Sequence, residues 1–449
     1  MKLVYDRFDY KRNQPYPNLW SKEITDYYDV QDGEYNYYDG KYWLRTCHSE
    51  MWSSIVDKKQ DYVILDNEHE QSLIDNSTHS GDYFYPIETY GSPNSVIHSG
   101  PGEKTSFVSN VSEIALKLAK LGKLKFCWNY SHEPKLSSDI VIELARQIES
   151  IGLSTNMFFI FPGTSNILEL YPKLKSLGFG WYFEDAILNS SAKKVAMIIN
   201  QPNYNLGYKT TWIQDDEIDV KRNKYFLCPN RNARYEHRYT LGCYFEYKKW
   251  WNDIYASYLI PPYDNQNSIM LTNNDEFDNN IIKSSKSFRQ RIPVEFDTQN
   301  VKDKEMWDGG YESSRAFKRE VYLDSYIYIG TENRFVGEMF ITDKIFNGVA
   351  CLQPFIVFSC VGYLKYIKKL GFKTFDDFID ESYDEISDNG ERFVALCNEL
   401  DRIKNIPLDE IHKWYISIKD RLIYNRNHYL SFGEKVTFRD NLLKAIKND

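Results

Sequence analysis

The sequence lacks the short motifs on which several large enzyme classes depend. It contains no GxSxG segment, which argues against a Ser/His/Asp triad, and neither a GxGxxG nor a GxxxxGK[ST] loop for phosphates. It also has no CxxC pair and no paired His/Cys spacing, so we expect no structural zinc and no other bound metal. Common hydrolase, dinucleotide-binding and P-loop classes are therefore not supported.

Long apolar runs and a secretion signal are missing as well. The N-terminal segment MKLVYDRFDYKRNQPYPNLW is charged from its start, and no run in the chain approaches the length of a membrane span. The cysteines number seven and show no regular spacing, which suits a reducing compartment. We therefore expect a cytoplasmic protein with no membrane span, located in the host cytoplasm if its gene is viral.

The charge and composition narrow the choice of partners only slightly. A net charge of −9 argues against nonspecific binding to polyanions but leaves room for a local basic cleft. Aromatic residues make up 16% of the chain, a surplus that suits pockets for sugars or bases. Tyrosine that simply fills core and surface is the more ordinary explanation. The accompanying richness in Asn, Lys and Ile is typical of an AT-rich genome, bacterial or viral.

A helix–glycine–strand unit occurs three times in the first half of the chain. Apolar residues at helical spacing over residues 111–121 end at Gly122, and a strand is predicted at 124–128. Two further helices end at Gly152 and Gly178, each followed by an apolar run. Repeated units of this kind predict a parallel, Rossmann-like sheet.

The apolar periodicity is lost between residues 200 and 224, which we interpret as the connection between two domains. We predict strands at 225–228, 268–271, 325–329 and 354–358, a helix to about residue 251, and a polar surface excursion over 273–287. Three amphipathic helices follow from residue 389. We therefore predict an α/β fold with two Rossmann-like domains and a helical C-terminal tail, the architecture called GT-B; a single large α/β sheet is the alternative.

The most informative stretch is residues 325–358, SYIYIGTENRFVGEMFITDKIFNGVACLQPFIVF. It is predicted to form a strand, a polar loop, a short helix and a second strand. Glu332 follows the first strand, and Thr342 is a suitable N-cap before Asp343 and Lys344. Because ligands bind beyond the carboxyl ends of parallel strands, a lysine and carboxylates at this place predict a site for a sugar nucleotide.

The same stretch resembles the signature of the fucosyltransferase family. In that signature a strand ends in Glu-Asn, here Glu332-Asn333, and a Tyr-x-Thr-Glu-Lys segment opens the next helix, here residues 340–344. The upstream KYFLCPNRNAR is similar to the start of that family's donor domain, and GYLKYIKKLGFKTFDDFIDESYDEI looks like bacterial and phage-encoded relatives. The resemblance covers residues 224–402. Phe340 replaces the usual Tyr and Asp343 the usual Glu, so the donor need not be GDP-fucose.

The resemblance implies an inverting glycosyltransferase with a nucleotide-sugar donor as co-substrate and no other cofactor. Arg231 and Lys344 would neutralise the donor diphosphate without a divalent metal, a role that guanidinium and ammonium groups suit chemically. Glu332 and Asp343 would hold ribose or sugar hydroxyls, and Asn333 and Thr342 belong to the same predicted donor site. Four of these residues have an ordinary alternative. Arg231 is then a solvated loop arginine and Lys344 an exposed first-turn lysine. Asp343 only caps the helix, and Glu332 forms a structural salt bridge with Arg334 or another cation.

The domains implied are an acceptor-binding domain over residues 1–205, a nucleotide-sugar-binding domain over 206–404, and C-terminal helices over 405–449 that pack across both. An inverting transferase needs a general base near a strand end of the first domain. We predict Glu133, with His132 beside it in the turn WNYSHEPK, over the pair Glu184 and Asp185. A solvated loop acid and a structural histidine are the alternatives for this turn.

Two acceptors and one different class of function remain open. The acceptor is either a glycan or lipopolysaccharide sugar, by analogy with fucosyltransferases, or a hydroxylated pyrimidine in phage DNA. A DNA acceptor requires a basic rim, for which residues 221–224 and 283–291 are candidates, although solvated loops explain both segments more simply. A noncatalytic nucleotide-sugar-binding protein is the alternative of another class.

Overall fold

The computed structural model of the chain describes residues 2–6, 62–65, 70–76, 83–88, 113–130, 138–162, 167–181, 213–230, 232–259, 269–296, 298–299, 319–337, 339, 341–342 and 344–434. These residues belong to two compact units, one within residues 1–190 and one within residues 191–434. The predicted domain boundary near residue 205 lies outside the described residues.

The first unit contains a six-stranded sheet in which every described pairing is parallel, with strand order β2-β1-β3-β4-β5-β6. Its strands are β1 (Lys2–Asp6), β2 (Tyr62–Leu65), β3 (Tyr83–Glu88), β4 (Leu124–Tyr130), β5 (Phe158–Pro162) and β6 (Gly180–Trp181). Its helices are α1 (Glu70–Asn76), α2 (Glu113–Lys120), α3 (Ser138–Ser150) and α4 (Ile167–Ser176).

Three glycines end the helices that precede β4, β5 and β6. Gly122, Gly152 and Gly178 have φ angles of 72°, 74° and 79°, which lie in the left-handed region that glycine adopts without steric conflict. The apolar faces of these helices pack on the sheet, where Leu118 and Ile148 are completely buried. The predicted helix–glycine–strand repeat is therefore confirmed.

The second unit contains another six-stranded sheet, with strand order β10-β9-β8-β7-β11-β12. Its strands are β7 (Lys224–Pro229), β8 (Ile254–Tyr258), β9 (Val294–Phe296), β10 (Thr298–Gln299), β11 (Ser325–Thr331) and β12 (Phe355–Phe358). The four strands β8, β7, β11 and β12 are parallel, and β9 and β10 continue the sheet in antiparallel fashion. All seven residues of β11 are buried, as expected for a central strand covered on both faces.

Eight helices surround this second sheet in the described part of the chain. They are α5 (Glu236–Lys248), α6 (Asp275–Arg291), α7 (Arg319–Leu323), α8 (Lys344–Ala350), α9 (Tyr363–Lys369), α10 (Asn389–Lys404), α11 (Leu408–Ser417) and α12 (Lys419–Glu434). The predicted α/β class, with two Rossmann-like sheets and a helical C-terminal region, is confirmed. The predicted packing of that region across both domains stays a prediction. None of the helices described here is both long and apolar enough to span a membrane.

Two predictions for the second half are wrong. The described residues 269–271 form no strand, and β8 at Ile254–Tyr258 takes that place in the sheet. The supposed polar excursion over 273–287 lies mostly in α6, which Asn274 caps through a hydrogen bond from the Phe277 N–H. The helix is mostly polar and is docked through Ile281 and Phe288, which are fully buried.

A close approach between α5 and α6 explains how so polar a helix docks. A Cβ added to Gly242 in α5 would meet the Phe288 ring at 2.0 Å, so only glycine leaves room for that ring. The basic segment 283–291 lies within α6 and is not a loop. Its Arg291 pairs with Glu246 at 2.9 Å. In the other basic segment, Lys221 pairs with Asp409.

Candidate functional site

Strands β7 and β11 lie side by side at the topological switch point of the second sheet, where the order of the strands reverses. From β7 the chain passes through α5 to β8 on one side, whereas β11 and β12 lie on the other side. Such switch points form crevices at the carboxyl ends of parallel strands, and ligands of α/β proteins bind there. Asn230 follows β7 directly, and Glu332 follows β11 directly, so both lie at this edge.

A buried polar network crosses three strands below the edge. The Asn230 side-chain amide donates to the Tyr258 hydroxyl at 3.2 Å, and the Thr331 hydroxyl donates to the Asn230 amide oxygen. Because Asn230 directly follows β7, and Tyr258 and Thr331 are the last residues of β8 and β11, the network connects the ends of the three strands. These buried hydrogen bonds lie directly beneath the switch point.

Glu332 connects most of the elements that meet at this edge. Its carboxylate is 0% exposed and accepts hydrogen bonds from the Thr342 hydroxyl at 2.5 Å, the Thr342 N–H at 3.3 Å and the Tyr363 hydroxyl at 2.7 Å. Its own N–H donates to the Phe358 carbonyl at 3.1 Å. The ends of β11 and β12 and the first turn of α9 are thereby joined through one residue.

Lys344 is the first residue of α8 and so lies in the first turn of the helix, where the sequence predicts it. Its ammonium Nζ donates to the Thr342 hydroxyl oxygen at 3.0 Å, and its backbone N–H lies 3.3 Å from the same oxygen. The Thr342 hydroxyl thus accepts from Lys344 while it donates to Glu332. The lysine is half-buried, and its ammonium is held close to the carboxyl end of β11.

Arg238, in the first turn of α5, supplies a second cation. Only 3% of the residue is exposed, and its Nη2 donates to the Thr331 carbonyl at 2.8 Å and to the Asn333 amide oxygen at 3.0 Å. Its buried Nε has no hydrogen-bond partner, and the guanidinium makes no ion pair in the part of the chain that the structure describes, although the charge of the Glu332 carboxylate acts on it. Burial lowers the pKa of this guanidinium, which nevertheless stays charged at neutral pH.

His237 lies between these groups. Its Nε2 is 2.9 Å from the Glu332 carbonyl, and its ring stacks on Phe335 with 5.5 Å between ring centroids. Burial, and after it the charge of Arg238, lowers the pKa of His237 from 6.5 to about 3, with a smaller contribution from Lys344. The imidazole is therefore neutral, and its Nε2–H donates to the carbonyl.

We expect the low pKa of His237 to make the folded protein less stable in acid. The unfolded chain binds a proton at this site below about pH 6.5 and the folded chain only near pH 3, so stability falls as the pH drops through that window, by at most about 1.4 kcal/mol per pH unit. The His237→Gln variant keeps a donor for the Glu332 carbonyl but has no titrating group. Urea unfolding between about pH 7 and pH 4.5 should show a shallower decline for this variant than for the wild type.

The control for this experiment is His428→Gln, because the His428 Nε2 also lies near a backbone carbonyl, that of Leu370, at 2.7 Å. The other titrating groups cancel when each variant is compared with the wild type. Parallel stability profiles for the wild type and His237→Gln would contradict the buried, neutral state of His237.

The structure brings together four of the predicted site residues, Glu332, Asn333, Thr342 and Lys344. The other predicted site residues lie outside the described part of the chain, as does the alternative pair of acids: Arg231, Asp343, His132, Glu133, Glu184 and Asp185. No group of three or more His, Cys, Asp or Glu side chains that could hold a metal ion occurs among the described residues. The predicted lack of a metal stays a prediction.

Sequence reasoning missed four residues of this edge, Asn230, His237, Arg238 and Tyr363. One signal was available for Arg238, since a cation in the first turn of a helix opposes the helix dipole and calls for a local reason. A second was available for Tyr363, which follows Gly362 shortly after β12, at the carboxyl edge of the sheet. Asn230 and His237 carry no such local signal.

No family model matches the chain, and no curated protein matches it either. Among solved structures it is similar to an alpha,alpha-trehalose-phosphate synthase (UDP-forming) from Burkholderia vietnamiensis, with 10% identity, a TM-score of 0.39 and coverage of 90% of this chain and 83% of that one. An E. coli structure described as trehalose-6-phosphate bound with UDP-2-fluoro glucose matches with 11% identity, a TM-score of 0.40 and coverage of 91% and 84%.

The N-terminal domain of trehalose-6-phosphate phosphatase from Candida albicans matches with 10% identity, a TM-score of 0.41 and coverage of 99% of this chain and 97% of that one. Likeness at this level says nothing about the chemistry of the chain. Its function has to be inferred from its own residues.

Proposed function

We propose that the protein is a glycosyltransferase that moves a sugar from a nucleotide-sugar donor to a hydroxyl acceptor. The observation that carries this proposal is the pair of cations, Arg238 and Lys344, at the switch-point edge of the second sheet. Arg238 is buried there and makes no ion pair among the described residues, although the charge of the nearby Glu332 carboxylate acts on it, and its Nε is unsatisfied. The partly buried Lys344 ammonium can contact a phosphate of a nucleoside diphosphate, and the buried Arg238 guanidinium adds positive potential behind it, against which the buried Glu332 carboxylate acts.

In sugar transfer, cations at this position would stabilise the leaving group. When the bond between the anomeric carbon and the phosphate oxygen breaks, negative charge grows on the departing diphosphate. Fixed cations that interact more strongly with that charge than with the intact donor lower the barrier of the reaction. In our proposal Arg231 joins Lys344 at the phosphates, Arg238 adds to the positive potential from below, and no divalent metal is required.

The acceptor side of the proposal rests on the sequence. Glu133, with His132 beside it, is the proposed general base that removes the proton from the acceptor hydroxyl, and inversion at the anomeric carbon follows from direct attack by that oxygen. The proposed acceptor is a glycan or lipopolysaccharide sugar. A hydroxylated pyrimidine in DNA is the alternative acceptor, and the transfer assay distinguishes the two.

A thermal-shift panel of sugar nucleotides tests the donor half of the proposal. The panel contains GDP-fucose, GDP-mannose, UDP-glucose, UDP-N-acetylglucosamine and dTDP-rhamnose. A donor present at 100 times its dissociation constant should stabilise the protein by about 2.7 kcal/mol, and the matching nucleoside diphosphate should also bind. Failure of all members, confirmed by calorimetry, would remove the basis for a glycosyltransferase that uses these donors.

The donor found in this way is then incubated with glycan acceptors and with DNA that contains hydroxymethylated pyrimidines, and the product is analysed by mass spectrometry. NMR of the product's anomeric centre reports inversion or retention. Glu133→Gln should bind the donor as the wild type does but transfer no sugar. Tight donor binding with neither transfer nor donor hydrolysis would instead identify a noncatalytic binding protein.

A further inference from the structure

The Thr342 hydroxyl lies between groups of opposite charge. Its oxygen accepts from the Lys344 ammonium at 3.0 Å, and its proton is donated to the Glu332 carboxylate at 2.5 Å. A hydroxyl has one proton and two lone pairs, so once the proton points to the carboxylate the lone pairs face the lysine. The hydrogen bond that the hydroxyl donates to the carboxylate strengthens the hydroxyl oxygen as an acceptor.

Burial separates the roles of these three residues. Glu332 is 0% exposed and Thr342 is 4% exposed, so neither side chain is presented to a ligand. The carboxylate is further fixed by the Tyr363 hydroxyl and by the Thr342 N–H. Lys344, by contrast, is only partly buried, so a ligand can reach its ammonium.

We propose that Glu332 and Thr342 are positioning residues, which hold the Lys344 ammonium in place for the donor diphosphate without touching the donor. This inference rests on the proposed function of the site. A free lysine has a flexible four-carbon stem, and the conformational entropy lost on binding opposes phosphate binding. Fixing the ammonium beforehand reduces that entropy loss and therefore strengthens binding.

The ordinary alternative is that Thr342 only shapes the turn before α8. A turn residue affects stability, and its loss alters phosphate binding independently of Lys344. A positioning residue acts through Lys344, so its effect on phosphate binding disappears once the lysine is absent. A double-mutant cycle separates the two.

Inorganic pyrophosphate is the probe, because it reports on the phosphate contacts whatever the nucleotide and sugar are. Its dissociation constant is measured by calorimetry for the full-length wild type, Thr342→Val, Lys344→Ala and the double variant. We expect Thr342→Val to weaken binding about tenfold, because the valine keeps the shape but not the hydroxyl. In the Lys344→Ala background the same substitution should have almost no further effect, and Thr342→Ser should restore most of the affinity.

Thr374→Val is the matched control. Thr374 is also buried, and its hydroxyl donates to the Glu381 carboxylate at 2.9 Å, with Lys368 paired to the same carboxylate at 3.0 Å. Pyrophosphate binding should be unchanged in this variant. If Thr342→Val does not fold, as judged by thermal unfolding, Glu332→Gln takes its place in the cycle with the same expected non-additivity.

The outcomes are distinct. Wild-type affinity in Thr342→Val, or full additivity with Lys344→Ala, would overturn the positioning role and leave the glycosyltransferase proposal intact. Failure of the wild type itself to bind pyrophosphate would overturn the phosphate site, and with it both proposals. Non-additivity together with rescue by serine supports the positioning role.

Discussion

Replacing Lys344 with alanine is expected to lower kcat/KM for sugar transfer by about 100-fold or more and to weaken donor binding. The ammonium lies at the carboxyl end of β11, held to Thr342, where it can oppose the charge that grows on the departing diphosphate. Removal of one preorganised group that stabilises such charge typically lowers the rate by roughly two to three orders of magnitude. Steady-state kinetics with the donor found in the thermal-shift panel measure the effect.

The control for this variant is Lys369→Ala, which removes an exposed lysine from the last turn of α9. It should leave kcat/KM within about twofold of the wild-type value, since screened surface charges act weakly at a distance. The Lys344→Ala protein should also unfold at nearly the wild-type temperature, because the side chain is only partly buried. Wild-type transfer or donor hydrolysis by Lys344→Ala would exclude this lysine from the site.

The largest expected effect on stability comes from Arg222→Met. Arg222 lies just before β7, is fully buried, and its Nη1 donates to the carbonyls of Tyr322 at 2.7 Å and Ser325 at 2.6 Å. Its Nη2 donates to the Tyr415 hydroxyl, and the guanidinium carbon lies 4.3 Å from the centre of that ring. One side chain thus connects the start of β7, the start of β11 and helix α11.

Methionine replaces the apolar stem of this arginine but none of its donors. We expect the free energy of unfolding of the second unit to fall by about 3 kcal/mol, because each hydrogen bond to a charged group contributes roughly 1.5–3 kcal/mol and some of the acceptors find other partners. The Gln353 side-chain amide, which also donates to the Ser325 carbonyl at 2.8 Å, is one such partner. Urea unfolding followed by tryptophan fluorescence measures the change.

Lys221→Met is a close control, since Lys221 is the neighbouring residue and forms an exposed pair with Asp409. Because solvent screens an exposed ion pair of this kind, Lys221→Met should lower stability far less than Arg222→Met does. Equal losses of stability in Arg222→Met and Lys221→Met would contradict the role of Arg222 as the connection between the two strands and α11.

The sequence alone determined the local elements of this protein and the place of one candidate site. The apolar periodicity before Gly122, Gly152 and Gly178 predicted three helices and the strands that follow them, because helix termination and face burial depend on residues close in the chain. The stretch 325–358 likewise predicted its strands and the first turn of α8. Those are local properties, and the structure agrees with them.

Local pattern was not sufficient where an element is docked by a few contacts. The helix α6 is mostly polar, so its sequence resembles a surface loop, and the space that Gly242 leaves for the Phe288 ring is visible only after folding. For the same reason the strand β8 was missed, since its assignment depends on pairing with β7 and β9.

The makeup of the site was decided by tertiary structure. Arg238 and His237 reach the end of β11 only because β7 and β11 pair in parallel, with Lys224 opposite Ser325, although about a hundred residues separate them in the chain. The same packing buries the Glu332 carboxylate and turns it toward Thr342. Sequence spacing indicates which charged groups follow a strand, whereas burial and register decide which of them face a ligand and which hold the others in place.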